Sequence, residues 1–189
     1  AARLAEAGRR VLILEAGPAR HQGHMISSTL HARRMKWSGP TVIEEGAHPV
    51  GYVFNAAHGT GGAALHHYAV WPRLHAEDFE VRSRFGRALD WPFGYDELAP
   101  WYDRVQDECG VSGDAQQEIW RPPGAPYPLP PVPVFRQGRV IARGFHRLGR
   151  RTAPLPLAVT SREYRGRAAC IWDGWCDAGC PIGALANPL

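Results

Sequence analysis

The most constraining feature of this sequence is a short, unbroken run of aliphatic residues close to its amino-terminal end. Residues 11–14 are Val, Leu, Ile and Leu, with no polar alternation, and the run stops at Glu15. A continuous apolar run of this length is typical of a parallel strand covered on both faces. Residues 1–8 are predicted to form the end of a helix that Gly8 closes. Helix, turn, buried strand and acidic residue together predict the second half of a βαβ unit.

Length and composition bound the class of protein. The chain has 189 residues, 44% of them hydrophobic and 21% charged, which corresponds to about one globular domain. No stretch approaches the roughly 20 apolar residues of a membrane-spanning helix, so no transmembrane segment is predicted. The 22 basic side chains are interleaved with 18 acidic ones instead of forming a stripe, and no nucleic-acid partner is predicted. Because the first methionine is Met25, we expect this chain to be a piece of a longer protein.

Two further segments have a helical pattern. Residues 96–109 are predicted to form a helix that Asp96 caps and Gly110 ends, with its apolar face in the core. Residues 137–148 are predicted to form a second amphipathic helix. The apolar positions are Leu98, Trp101, Tyr102, Val105 and Cys109 in the first helix, and Val140, Ile141, Phe145 and Leu148 in the second.

Between these helices lies a proline-rich segment. Seven of the twelve residues in 122–133 are proline, which predicts a stiff, extended connector and excludes both helix and central strand. Elsewhere the pattern is weaker, and short strands are predicted only at residues 41–43 and 52–54.

Glu15 is the first candidate site residue. An acid at the end of the second strand of a dinucleotide-binding βαβ unit hydrogen-bonds the ribose hydroxyls of the cofactor. The glycine loop that binds the phosphates should lie about 20 residues upstream, but only 14 residues precede Glu15. We therefore expect the first strand and the glycine loop to be missing from this chain. The alternative is that Glu15 is a solvent-exposed residue at a strand end.

A glycine-rich and histidine-rich segment follows at residues 58–67. Glycines such as Gly61 and Gly62 allow backbone N–H groups to approach a phosphate or an aromatic ring, since no β-carbon intervenes. His66 and His67 are adjacent, and neighbours in an extended chain point apart, so they are poor candidates for one metal ion. The alternative is a surface loop with a pair of exposed histidines.

These pieces, taken in order, resemble the glucose/methanol/choline (GMC) family of FAD-dependent oxidoreductases. The resemblance covers nearly the whole chain, although residues 19–55 match loosely. Its motifs are residues 4–8 and 11–18 for the adenine-binding segment, Gly61, Gly62 and His66 for the second FAD-binding segment, and residues 89–102 and 110–113 for the D-W-P-x-x-Y-D-x-L stretch that follows.

The resemblance implies an α/β fold: an incomplete, Rossmann-like FAD-binding domain with irregular segments that cover the FAD. It implies that Glu15 binds the adenosine ribose, and that Gly61 and Gly62 lie against the pyrophosphate and flavin. In some members, the histidine at the position of His66 is bonded covalently to the flavin. The full set of cofactor-binding residues that it implies is Glu15, Ala16, Gly17, Pro18, Gly61, Gly62, His66 and His67.

Three cysteines are crowded near the carboxyl-terminal end, at Cys170, Cys176 and Cys180. Thiolates are the usual ligands of iron–sulfur clusters, and three of them suffice for a [3Fe-4S] cluster. Their spacing resembles that of the catalytic subunits of membrane-bound FAD glucose dehydrogenases, a GMC branch with such a cluster. Zinc, a disulfide with one free thiol, and inert buried thiols remain alternatives. Cys109, on the apolar helix face, is predicted to be a packing residue.

The function that the resemblance implies is oxidation of a CH–OH group of an alcohol or sugar, with hydride transfer to the flavin. A cytochrome or a quinone is the implied electron acceptor; if no cluster forms, an oxidase is as well supported as a quinone-linked dehydrogenase. The family's catalytic residues and its substrate-binding part would lie beyond Leu189, so we expect this chain to be inactive alone. The alternatives are a non-enzymatic iron–sulfur electron-transfer module and an NAD-binding domain. A periplasmic, membrane-associated location is expected for the iron–sulfur branch, and a cytoplasmic one otherwise.

Overall fold

The structure, a computed structural model, describes residues 1–40, 42–49 and 56–189. The chain divides into two compact units, each built from segments that are distant in sequence. The first unit contains Ala1–His67, Trp175–Pro181 and Asn187–Leu189, and the second contains Tyr68–Gly174 and Ile182–Ala186.

The first unit contains two α-helices, α1 (Ala2–Glu6) and α2 (Thr29–Lys36). As predicted, the chain leaves α1 through Gly8, whose φ of 72° is left-handed. The Ser28 side chain caps α2 by accepting a hydrogen bond from the His31 backbone N–H at 3.4 Å. The described residues of this unit also form three short 3₁₀ helices: Gln22–His24, Gly62–Leu65 and Cys176–Ala178. Met25, Met35 and Leu65 form its buried apolar cluster.

Residues 11–14 form no strand in this structure, contrary to the prediction of a buried parallel strand. The side chains of Leu12, Ile13 and Leu14 are 83%, 71% and 86% exposed. A strand exists only where a neighbour accepts and donates its ladder hydrogen bonds, and no described residue forms a β-bridge with this run. The Rossmann-like fold class therefore stays a prediction.

The other predicted short strands have different outcomes. Residues 52–54 lie outside the described residues, as does the first residue of 41–43. Val42 and Ile43 are not in a strand, and the Ile43 side chain is 80% exposed.

The core of the second unit is held by isolated β-bridges centred on Ser112, which is fully buried. The backbones of Ser112 and Leu157 exchange two hydrogen bonds, at 2.8 and 2.9 Å, in an antiparallel bridge. Leu129 forms a parallel bridge with Ser112 on the other side. The Ser112 hydroxyl donates to the Val159 carbonyl oxygen at 2.5 Å. Because each pairing consists of a single bridge, these segments are hydrogen-bonded to one another without forming an extended sheet.

The second unit also contains α3 (Val81–Phe85), α4 (Tyr95–Cys109) and α5 (Arg136–Arg147). Helix α4 agrees with the prediction in its extent and in its end, where Gly110 has a left-handed φ of 62°. The predicted cap is wrong, because Gly94 occupies the N-cap position and Asp96 lies inside the first turn. There, the Asp96 carboxylate complements the positive end of the helix dipole.

The buried face of α4 is not the predicted one. Trp101 is 58% exposed and Val105 is 38% exposed, whereas Tyr95 and Gln106 are buried. Tyr95 and Gln106 face the interior of the unit because both accept hydrogen bonds from a buried cation on another segment. A buried charge must be hydrogen-bonded. The apolar face of α5 is similarly exposed: Ile141 is 59% exposed.

The buried cation is Arg73, which is 4% exposed. Its guanidinium donates to Gln106 Oε1 at 2.6 Å, to the Tyr95 hydroxyl at 3.1 Å, and to the Asp103 carboxylate. The Tyr95 hydroxyl in turn donates to the carbonyl oxygen of Pro123 at 2.6 Å. Arg73 thus links α4 to the proline-rich segment, which carries no helix, as predicted.

Candidate cofactor site

The site begins at Glu15, where the apolar run ends. Glu15 is exposed, and its Oε1 accepts a hydrogen bond from the Gly17 backbone N–H at 2.8 Å. This short loop orients the carboxylate while using only one of its four acceptor positions. Ala16 and Pro18 are also exposed. The segment 15–18 therefore presents an oriented anionic acceptor at the surface of the first unit.

The glycine-rich segment lies directly against this loop. A β-carbon placed on Gly17 would lie 2.2 Å from the backbone nitrogen of Gly59, so only glycine permits the approach. The Thr60 backbone N–H donates to the Pro18 carbonyl oxygen at 3.1 Å. The backbone N–H of Arg20 donates to Thr60 Oγ1 at 3.3 Å. Two segments separated by about 40 residues are thus brought together.

Two side chains hold the glycine-rich segment in place. Arg20 Nη2 donates to the carbonyl oxygen of His58 at 2.9 Å. The Ser38 hydroxyl accepts from the backbone N–H of His58 at 3.0 Å and donates to the Met35 carbonyl oxygen at 2.7 Å. Both polar groups of the His58 backbone are therefore fixed from outside the segment.

Gly61 and Gly62 form the turn that starts the 3₁₀ helix Gly62–Leu65. Their φ values are 86° and 54°, in the left-handed region that side chains rarely adopt. Among the described residues, the nearest atom to a β-carbon on Gly62 would be the Ala57 carbonyl oxygen at 3.7 Å. The backbone at Gly62 is therefore open to approach by another molecule, which is the property that a pyrophosphate or a flavin ring requires.

His66 follows this helix and is 6% exposed. Its ring nitrogen Nδ1 lies 2.7 Å from the carbonyl oxygen of Asp177. Burial lowers the pKa of His66, although the hydrogen bond to Asp177 partly opposes this shift. The imidazole is therefore neutral at physiological pH. Its neighbour His67 is half-buried.

The cysteine-bearing turn lies in the same unit as His66. Cys176 begins the 3₁₀ helix Cys176–Ala178, and Cys180 is buried with a left-handed φ of 56°. Gln22 Nε2 donates to the carbonyl oxygen of Cys180 at 2.5 Å. Cys170 belongs to the second unit, where its backbone N–H donates to the Thr160 carbonyl oxygen at 2.8 Å.

No disulfide joins any two of the four cysteines, so the disulfide alternative is not realised in this structure. In the described part of the chain, no group of three or more His, Cys, Asp or Glu side chains is arranged to hold a metal ion. Cys170 lies in the second unit, whereas Cys176 and Cys180 lie in the first. The metal assignment of Cys170, Cys176 and Cys180 stays a prediction. Burial raises the pKa of Cys109, which is consistent with its predicted packing role.

The structure thus brings together Glu15, Gly17, Pro18, Gly61 and Gly62 in a single unit that also contains His66 and His67. Sequence reasoning missed Arg20, Ser38 and the Asp177 carbonyl group, which position these residues. The missed groups act on backbone atoms or through a backbone atom, and such contacts leave no motif in a sequence.

Comparison with known proteins gives the family. No protein-family model matches the chain. It is 29% identical to the fructose dehydrogenase large subunit of Gluconobacter japonicus, over 98% of this chain and 38% of that protein. It is 33% identical to 2-methyl-1,2-propanediol dehydrogenase of Mycolicibacterium austroafricanum, over 68% of this chain and 24% of that protein. It is also 30% identical to paromamine 6'-oxidase of Streptomyces fradiae, over 68% of this chain and 23% of that protein.

The chain belongs to the GMC family of oxidoreductases. The GMC chain spans between 23% and 38% of the length of these three relatives. Among its described residues, none of the helices is long and apolar enough to cross a bilayer. The resemblance inferred from the motifs of residues 4–18 and 89–102 is therefore confirmed at the level of the family.

Proposed function

We propose that this chain forms part of the FAD-binding region of a dehydrogenase that oxidises a CH–OH group of a sugar or an alcohol. The observation that carries the proposal is the contact between the segment 15–18 and the turn at residues 58–62. A carboxylate for ribose hydroxyls and an open glycine backbone for a pyrophosphate are the two groups that bind an adenine dinucleotide. Their contact within one unit fits FAD.

Glu15 would hold the adenosine ribose. Its carboxylate keeps acceptor capacity for two vicinal hydroxyl groups after accepting the Gly17 N–H at 2.8 Å. The Gly17 hydrogen bond fixes the direction of the carboxylate before the cofactor arrives, which reduces the entropy lost on binding.

The turn at Gly61 and Gly62 would lie against the pyrophosphate and the flavin. Arg20 and Ser38 hold this turn through the His58 backbone at 2.9 and 3.0 Å, so its position is set before the cofactor binds. His66, neutral and nearly buried, would contact the flavin ring system with its second ring nitrogen.

When bound, FAD would accept a hydride from the alcohol carbon and supply the redox chemistry. The residues of this chain would bind and orient it. The relatives are named as a fructose dehydrogenase, a propanediol dehydrogenase and a paromamine oxidase, which supports a polyhydroxylated substrate. We propose a cytochrome or a quinone as acceptor, because the relative matched over 98% of this chain is the large subunit of a multisubunit dehydrogenase.

The test is made on the complete gene product, purified without added cofactor. It should show the two absorption bands of oxidised flavin, and these should bleach when fructose or 2-methyl-1,2-propanediol is added without oxygen. An artificial one-electron acceptor should support faster turnover than oxygen does. A brown protein without flavin bands would favour an electron-transfer module, and a requirement for NAD would favour a nicotinamide site; each would reject the proposal.

A paired substitution tests the role of Glu15. Glu15→Gln keeps an acceptor for Gly17 but removes the charge, so we expect FAD affinity to fall roughly tenfold, the effect of losing a charge-assisted hydrogen bond. Glu6→Gln is the control, since Glu6 is an exposed glutamate paired only with Arg3 on its own helix. Equal FAD affinities in the two variants would show that Glu15 does not bind FAD.

A further inference from the structure

The cysteine-bearing turn at residues 176–180 contacts His66 through a backbone atom. Within the turn, the Trp175 carbonyl oxygen accepts from the N–H groups of Ala178 and Cys180, and the Cys176 carbonyl oxygen accepts from Gly179. The carbonyl oxygen of Asp177 instead lies 2.7 Å from Nδ1 of His66, which is 111 residues away in sequence.

The chemistry of this contact fixes the proton on the ring. A carbonyl oxygen can only accept, so Nδ1 must be the donor and must carry hydrogen. The ring is neutral, because burial lowers the pKa of His66. A neutral imidazole with hydrogen on Nδ1 has its lone pair on Nε2, and no described residue is hydrogen-bonded to Nε2.

Packing holds the turn against this part of the first unit. Gly179 has a left-handed φ of 85°, and a β-carbon there would lie 2.2 Å from the sulfur of Met25. The same β-carbon would lie 3.7 Å from the carbonyl oxygen of Leu65, the residue before His66. Ala178 is fully buried. The position of the Asp177 carbonyl group is therefore set by close contacts.

We infer that the turn at residues 176–180 positions His66. The Asp177 carbonyl oxygen holds the imidazole as the Nδ1–H tautomer, and this leaves Nε2 as the nitrogen that contacts the flavin. The role toward flavin rests on the proposed function, whereas the tautomer does not. The inference also gives the cysteine-bearing turn a function that requires no metal ion, since the contact to His66 is made by a backbone carbonyl group.

The experiment is nitrogen NMR on the protein labelled with 15N-histidine, with the His66 signals assigned by their loss in His66→Gln. Without FAD, Nδ1 should give the shift of a protonated ring nitrogen and Nε2 that of an unprotonated one. An Nε2–H tautomer, or signals averaged between the two forms, would overturn the inference. The tautomer is read from the unsubstituted protein, and the variant serves only to assign the signals.

Two glycine substitutions then test the turn. Gly179→Ala places a methyl group against Met25 in a left-handed position, and we expect loss of the pure Nδ1–H signature. Gly166→Ala is the matched control, with a φ of 79° and nothing within 4 Å of the new β-carbon. It should leave the His66 signals unchanged. The same response in both variants would show that the turn does not position His66.

Addition of FAD separates the two proposals. Nε2 should shift when FAD binds, while Nδ1 keeps its protonated shift. FAD binding without any change at Nε2 would overturn the flavin part of this inference and leave the proposed function intact. Failure of the complete gene product to bind FAD, with the tautomer as expected, would instead reject the proposed function.

Discussion

A β-carbon placed on Gly17 would lie 2.2 Å from the backbone nitrogen of Gly59 and 2.7 Å from the carbonyl carbon of His58. The two segments of the candidate cofactor site therefore meet backbone to backbone. A contact of this kind cannot relax by a side-chain rotation, because both partners are main chain.

The first prediction concerns Gly17→Ala. The added methyl group must force the segments apart, at a cost of about 3 kcal/mol in the free energy of unfolding, the upper end for overpacking. Urea denaturation followed by tryptophan fluorescence measures this, and FAD affinity should fall as well. The control is Gly144→Ala, in α5 with open space around it, which should be neutral or slightly stabilising. Similar stability of the two variants would contradict the contact.

The second prediction concerns Ser38, which holds the His58 backbone. Ser38→Ala removes the acceptor of the His58 N–H at 3.0 Å, so the turn at residues 58–62 should lose its fixed position. We expect FAD affinity to fall about fivefold, corresponding to one net hydrogen bond of about 1 kcal/mol. Isothermal titration of the complete gene product with FAD measures the change. Ser27→Ala, at an exposed serine of the same unit, should bind FAD as the unsubstituted protein does.

The third prediction concerns pH. Burial and the hydrogen bond to Glu118 raise the pKa of Tyr127, whose hydroxyl donates to Glu118 Oε2 at 2.7 Å. Because the pKa in the folded state lies above the unfolded value of about 10, this stabilisation is complete below pH 10 and is lost as the pH rises further. The urea midpoint should therefore fall in alkaline solution.

Tyr127→Phe checks this assignment. It leaves Glu118, which is 5% exposed, without its hydroxyl donor, so stability at neutral pH should fall by about 1–3 kcal/mol. The alkaline loss should become smaller, since the titrating group is gone. Tyr68→Phe, at an exposed tyrosine, should keep the alkaline loss of the unsubstituted protein. An unchanged pH profile in Tyr127→Phe would assign the effect elsewhere.

The fourth prediction concerns Arg73. Arg73→Lys keeps the charge but loses the planar fork that reaches Gln106, Tyr95 and Asp103 together. We expect a loss of about 2 kcal/mol, the value of a hydrogen bond to a charged group, in urea denaturation. Arg84→Lys is the control, because Arg84 pairs with Glu80 at the surface, and it should change little. Equal losses would show that the network is not stabilising.

Local sequence signals were sufficient for some elements and misleading for others. The ends of α4 and α5 follow from Gly110 and Gly149, whose φ values of 62° and 67° need glycine whatever the surroundings are. The buried face of α4 could not be predicted, because Trp101 and Val105 match the helical period better than Gln106 does. Only the position of Arg73, 33 residues away, decides that Gln106 is buried.

The sequence by itself determined the family and the two segments that form the candidate site, because both depend on short motifs whose glycines and acidic residue have local reasons to be there. The tertiary structure alone decided that Gly17 meets Gly59 and that the Asp177 carbonyl selects the protonated nitrogen of His66. The first contact is between main-chain atoms 42 residues apart, and the second joins a main-chain carbonyl to a side chain 111 residues away. Since every residue carries nearly the same backbone groups, the residue types in the sequence do not predict such a contact.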